Sequence, residues 1–161
     1  MTFIEATPEE LAVVEALMGR PLAGRCAVVV RRRGGAPVVI ENEPHLRDGT
    51  PMPTLYWLID PELSDAVSRL EGASGVHRFE TLVDDDALVR THDEYHQRRE
   101  AATVRRDVVH SSGGVGGTRV GVKCLHAHLA NFLVGHDDPV GRLVAREVGV
   151  PDLEIVDARV V

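Results

Sequence analysis

Residues 111–121 read Ser-Ser-Gly-Gly-Val-Gly-Gly-Thr-Arg-Val-Gly, five glycines in eleven positions. Glycine gives up the most backbone entropy on ordering and offers no side chain to pack, so this stretch cannot be the interior of a helix or strand. It must be a connection. It separates a longer N-terminal part from a C-terminal part that holds two helical stretches and a closing strand signal. It also runs directly into Lys123-Cys124-Leu125-His126.

Around this connection the chain reads as alternating short elements. Thr7-Pro8-Glu9-Glu10 carries a capping box with proline at the first helical position, and it opens a helix that Gly19 ends. Residues 26–32 read as a strand, Gly34-Gly35 as a turn, and residues 37–41 as the return strand of a hairpin. A proline-rich loop fills 42–53. Residues 54–59 form a third strand, apolar enough to be central. Asp60-Pro61 opens a helix over 61–71, and residues 76–83 fit either a helix or a strand. Asp84-Asp85-Asp86 places negative charge at the start of a helix running to about 102. Residues 105–110 suggest a short strand, 122–134 and 139–148 two more helices, and 153–160 a closing edge strand. The expectation is an α+β fold, a small, mainly antiparallel sheet packed by about five helices, in one domain spanning 1–161. Strand order does not follow from the sequence.

Bulk properties bound the function. Apolar residues make up 43% of the 161, with only three Phe, one Trp and two Tyr, so Val, Leu and Ala must build the core. The net charge of −7 opposes general nucleic-acid binding. The two cysteines, Cys26 and Cys124, suit a reducing compartment rather than a secreted disulfide scaffold. The N-terminus shows no secretory signal pattern, and no apolar run is long enough to span a bilayer. A cytoplasmic protein is expected, with no cofactor, no membrane partner and no nucleic acid; a homo-oligomer is compatible with the sequence.

The glycine-rich loop holds the parts of an anion site. The backbone of Gly113, Gly114, Gly116 and Gly117 can converge N–H groups, and Arg119 and Lys123 add directed positive charge before a helix start. It is not a Walker loop, because Val122 separates Gly121 from Lys123 and Cys124 replaces the metal-binding hydroxyl. Nor is it a dinucleotide fingerprint. The plain alternative is a tightly packed connection. If residues 122–134 are helical, Cys124 and His128 share a face at i,i+4 while His126 lies further round. A cysteine beside a lysine at a helix N-terminus has the makings of a nucleophile, although free cysteine is more often a small core residue. Cys124, His126 and His128, with His92 and His96 at helical spacing, are candidate metal ligands, but their spacing matches no zinc motif. Arg31-Arg32-Arg33 reads as a solvated turn, since an RNA-facing surface would want aromatic platforms.

Several strings taken together carry a resemblance. They are Gly19-Arg20-Pro21, Gly35-Ala36-Pro37-Val38-Val39, the run from Pro44 through Asp48-Gly49-Thr50-Pro51-Met52-Pro53-Thr54-Leu55-Tyr56 to Leu58, and Arg119-Val120-Gly121-Val122-Lys123-Cys124-Leu125-His126. In order and spacing the chain resembles, over about 15–150, a bacterial uncharacterised family called domain of unknown function 501. The resemblance implies no activity, cofactor or catalytic residue. It does imply an association, because genes of that family occur near those for cell-division initiation and exopolyphosphatase. Relatives carry an Arg-Cys pair before the Gly-x-Pro-x-Val turn, where this chain has Arg31-Arg32-Arg33. A site that used that cysteine with Cys124 or His126 would be incomplete here, and Cys26 lies earlier on the strand.

The leading expectation is a small anionic or phosphate-bearing ligand held by the glycine loop, Arg119 and Lys123. Arg47, Asp48 and Thr50 of the proline-rich loop would form its second wall, and His126 or Cys124 would be the group for any chemistry. The alternatives are a protein–protein interaction module, linked through the resemblance to cell division or polyphosphate metabolism, and a Cys/His metal-binding protein.

Overall fold

The computed structural model describes residues 4–156. The capping box forms as written: Thr7 accepts from the Glu10 amide and Glu10 accepts from the Thr7 amide, opening α1 at Pro8–Met18. Strands β1 (Cys26–Arg32) and β2 (Pro37–Asn42) make the expected hairpin, and β3 (Tyr56–Leu58) follows the proline-rich loop. Helices α2 (Pro61–Gly72), α3 (Gly75–Leu82) and α4 (Asp85–Ala102) come next. A single 3-10 turn, Val115–Gly117, interrupts the glycine-rich loop before α5 (Leu125–Leu133), α6 (Pro139–Val148) and β4 (Leu153–Ile155). No described helix is long and apolar enough to cross a membrane.

The four strands form one antiparallel sheet in the order β3-β2-β1-β4. The expected α+β class therefore holds, with six α-helices among the described residues where about five were expected, since 76–82 of the ambiguous stretch 76–83 lie within α3. Two expectations fail. β3 is an edge strand rather than a central one. Its apolar character is consumed by its faces: Tyr56 is buried against Tyr95 of α4, with ring centroids 5.9 Å apart, and the Trp57 ring packs under the Arg20 guanidinium at 5.2 Å. Residues 105–110 form no strand. They are held by side chains instead, with His45 Nε2 bonded to the Val109 carbonyl at 2.8 Å and His110 Nε2 to that of Arg105 at 3.0 Å. The closing edge strand is present as β4, and its expected continuation to 160 extends beyond the described residues.

The sheet has two unequal faces. Val28 and Ile40 join Val14 of α1 in a small apolar cluster, whereas Ala27, Val29 and Val38 join the main core with Leu63, Val67, Leu88, Leu125 and Leu129. A register shift between Val28 and Arg31 lets Val30 enter the main core as well. The triple arginine at the turn is fully engaged. Arg31 pairs with Glu10, Arg32 with Asp60 and Glu62, and Arg33 with Asp152.

The α5–α6 corner is fixed by a buried carboxylate. Asp138 caps α6 by accepting from the Gly141 amide at 2.9 Å, and it also accepts from His128 Nδ1 and Asn131 Nδ2, each at 2.9 Å. All three of Asp138, His128 and Asn131 are fully buried. Asp138→Ala strands two buried donors and removes a cap. A loss of about 2–4 kcal/mol in urea unfolding is expected, and a loss below about 1 kcal/mol would contradict this account of the corner.

Candidate functional site

The expected helix over 122–134 starts late. Cys124 has extended backbone angles, φ −146° and ψ 116°, and stands at the N-cap of α5 without using its sulfur as a cap. The His128 amide still bonds to the Cys124 carbonyl at 3.3 Å, so the i,i+4 register holds in the backbone, but the two side chains have different surroundings. His128 turns into the core toward Asp138, while the Cys124 side chain remains half-buried at the surface. Glu71, at the end of α2, takes the capping role: its Oε1 accepts from the Leu125 amide at 2.7 Å. One turn earlier, Glu80 of α3 accepts from the Val122 amide at 2.6 Å. Two amides near the helix start, which would serve an anion, are thus taken by the chain's own carboxylates.

These contacts gather Glu71, Cys124 and His126. One donor atom of each lies within 4.8 Å of the others, and all three residues are half-buried. His126 Nε2 stands 3.1 Å from the Ser64 carbonyl and 3.2 Å from Ser68 Oγ of α2. A carbonyl oxygen only accepts, so Nε2 carries a hydrogen. The other ring nitrogen, Nδ1, stands 3.3 Å from Glu71 Oε1. A neutral ring would then point a lone pair at a carboxylate, which is unfavourable unless a cation or proton lies between them. In the metal-free protein that proton is present. Hydrogen bonding to Cys124 first, then the Glu71 charge and the Ser64 carbonyl, push the His126 pKa up to about 9 against the opposing effect of burial. Chemically, the cluster offers sulfur, nitrogen and oxygen donors with a solvent-facing side. A metal ion held by three such ligands keeps a position for water, whose pKa it lowers.

The glycine loop roofs this cluster. Gly116, at φ +67°, lies over Cys124, and a Cβ there would stand 3.5 Å from the cysteine Cβ. Gly114 lies so close to His92 that a Cβ would fall 2.5 Å from the histidine side chain. The loop closes on itself through Gly114 N–H to the Thr118 carbonyl and Gly117 N–H to the Gly114 carbonyl. The buried Arg99 guanidinium donates to the Ser111 and Gly113 carbonyls on one side and to the Pro53 carbonyl on the other. The proline-rich loop and the glycine-rich loop are therefore joined through one side chain.

The remaining candidates disperse. Arg119 is exposed and donates to the Ser112 carbonyl. Lys123 lines a cavity of about 570 Å³ together with Glu80 and Asp85, whose carboxylates outnumber it. Arg47 lines a different cavity. Asp48 accepts from the Thr50 amide at 2.9 Å in a local turn. His92 is committed through both nitrogens, to the Gly121 carbonyl and the Val115 amide, and burial lowers its pKa. His96 Nδ1 meets Arg99. Cys26 is buried on β1 away from the cluster, and burial pushes its thiol up to about 11. Sequence reasoning missed Glu71. Its only signal was an acidic residue at the end of a predicted helix, 53 positions before Cys124.

In metal-free protein, His126 is expected to titrate at about 9 in a histidine-resolved NMR experiment, and Cys124→Ala is expected to lower the midpoint. Because the folded value lies above the unfolded value of 6.5, this stabilisation is fully present below 6.5 and is lost as the pH rises through about 9. A midpoint near 6.5 would contradict the arrangement.

No curated protein and no solved structure matches the chain. A family model does: residues 28–146 match the family described as protein of unknown function, DUF501. That match takes in the hairpin from Val28 onward, the proline-rich loop, the glycine loop and the whole Glu71–Cys124–His126 cluster, and the chain belongs to this family.

Proposed function

We propose that the protein binds a single zinc-class transition-metal ion through Cys124 Sγ, His126 Nδ1 and a Glu71 carboxylate oxygen. The observation that carries this reading is the convergence of the three donors around a point that demands positive charge, where Nδ1 and a carboxylate face one another. Mixed sulfur, nitrogen and oxygen ligation suits zinc better than magnesium or calcium, which favour oxygen. The surroundings support it. Ser64 holds His126 in the tautomer that frees Nδ1, and the Leu125 amide orients Glu71, as outer partners of metal ligands do. Zinc bonds of about 2.0–2.3 Å require the donors to draw together by about 1 Å, within the reach of half-buried side chains. The fourth position would face solvent under the glycine loop.

Binding exchanges the His126 proton, and that of the thiol, for the metal. Affinity for zinc should therefore rise with pH up to about 9. Protein purified without a histidine tag and equilibrated with limiting zinc is expected to hold one ion per chain by elemental analysis. Cys124→Ser and His126→Ala should each weaken binding by about a hundredfold, while Cys26→Ala should retain it. Zinc that stays bound in the Cys124 and His126 variants, or no zinc in the unaltered protein at pH 8, would overturn the proposal.

A further inference from the structure

The protein is acidic overall, yet one cavity is lined by cations. It has a volume of about 300 Å³ and lies between the proline-rich loop and the segment after α4. Arg25, Arg47 and Arg105 line it with the buried His45, against one lining carboxylate, Glu43. Arg25 is tied to Glu5 and Glu43. The other two guanidiniums are placed mainly by backbone. Arg47 Nη1 donates to the Leu22 carbonyl at 3.0 Å, and no carboxylate pairs with Arg47 among the described residues. Arg105 lies flat on Gly49, where a Cβ would come within 3.0–3.4 Å of its guanidinium, and its nearest paired carboxylate, Asp107, stands 3.9 Å away at the exposed side. Gly49 takes φ +90°, so the loop needs glycine there on both counts.

The loop that carries Arg47 is stiff. Leu46 N–H bonds to the Thr50 carbonyl, Gly49 N–H to the Leu46 carbonyl, Met52 N–H to the Pro44 carbonyl and Arg47 N–H to the Ala23 carbonyl. His45 is pinned through Nε2 to the Val109 carbonyl and meets the His110 ring edge-on at 5.4 Å. The cavity therefore presents three guanidiniums against one carboxylate in its wall, Glu43, with Asp48 and Asp107 near Arg105 outside it. Guanidinium groups are the side chains best matched to phosphoryl oxygens.

We infer that this cavity binds a small phosphoryl-bearing anion, with Arg47 and Arg105 as its principal contacts. The site is separate from the glycine loop and from the metal cluster, and it gives Arg47 a ligand role apart from Arg119 and Lys123.

Pyrophosphate is the probe, with inorganic phosphate and citrate for comparison, titrated by calorimetry and amide NMR at low salt on the full chain. One saturable site is expected, with the largest shifts at residues 45–50 and 104–106 and with citrate weaker by about tenfold or more. Arg47→Gln and Arg105→Gln should each lower pyrophosphate affinity by about tenfold or more without changing the thermal midpoint. Lys123→Gln, Arg119→Gln and Cys124→Ser should leave it unchanged, the last separating this site from the metal proposal. Absence of saturable binding would overturn the inference. So would citrate binding as tightly as pyrophosphate, or loss of binding in the Lys123 or Arg119 variants with retention in those of Arg47 and Arg105.

Discussion

The arrangement of the functional face depends on one buried cation. Arg99 is almost wholly removed from solvent near the end of α4, and it donates to main-chain carbonyls on the proline-rich loop and on the glycine-rich loop. Burying a guanidinium is costly unless its donors are paired, and here irregular backbone pairs both terminal nitrogens through the Ser111, Gly113 and Pro53 carbonyls, while Nε has no hydrogen-bond partner among the described residues. The cation and the loops solve each other's problem. With the loop anchored, Gly114 packs on His92 and Gly116 rests over Cys124. The environment of the cysteine is thus set from α4, a helix that contributes none of the three clustered residues.

Charge is sorted rather than spread. Around the start of α5, Glu71 and Glu80 occupy backbone amides, and the local need is for a cation between Glu71 and His126. Around the proline-rich loop the sign reverses, with three arginines lining a cavity that Glu43 alone offsets within its walls. Arg99 ties the proline-rich loop to the glycine-rich loop that precedes α5. The same framework that keeps the cysteine half-buried also braces the loop carrying Arg47, so both regions draw their rigidity from shared contacts.

Much of the fold was legible because it rests on local chemistry. The capping box at Thr7, the acidic start of α4 at Asp84-Asp85-Asp86 and the hairpin around Gly34-Gly35 all follow from residues a few positions apart. The failures involve long-range partners. Residues 54–59 look central because they are apolar, yet Tyr56 is covered by Tyr95, about forty positions away, rather than by another strand. Within the cluster, Cys124 and His126 stand out by type and adjacency, but their third member lies on α2, and nothing local marks Glu71 as its partner. Cys124 keeps the i,i+4 backbone bond with His128, but the expected helix start at 122 failed because the helix begins at Leu125, where Glu71 supplies the cap that the sequence reading left unassigned. The grouping of Arg47 with Arg105 needed the loop closed on itself, and the sequence shows that only as a run of prolines and Gly49.

The central claim is that Cys124, His126 and Glu71 share one metal ion. X-ray absorption at the zinc edge of protein loaded with one equivalent at pH 8 tests it most directly. The account predicts one sulfur at about 2.3 Å together with nitrogen and oxygen neighbours at about 2.0–2.1 Å, and loss of the sulfur contribution in Cys124→Ser. A first shell of nitrogen and oxygen alone in the unaltered protein, or a sulfur signal that survives the substitution, would contradict it.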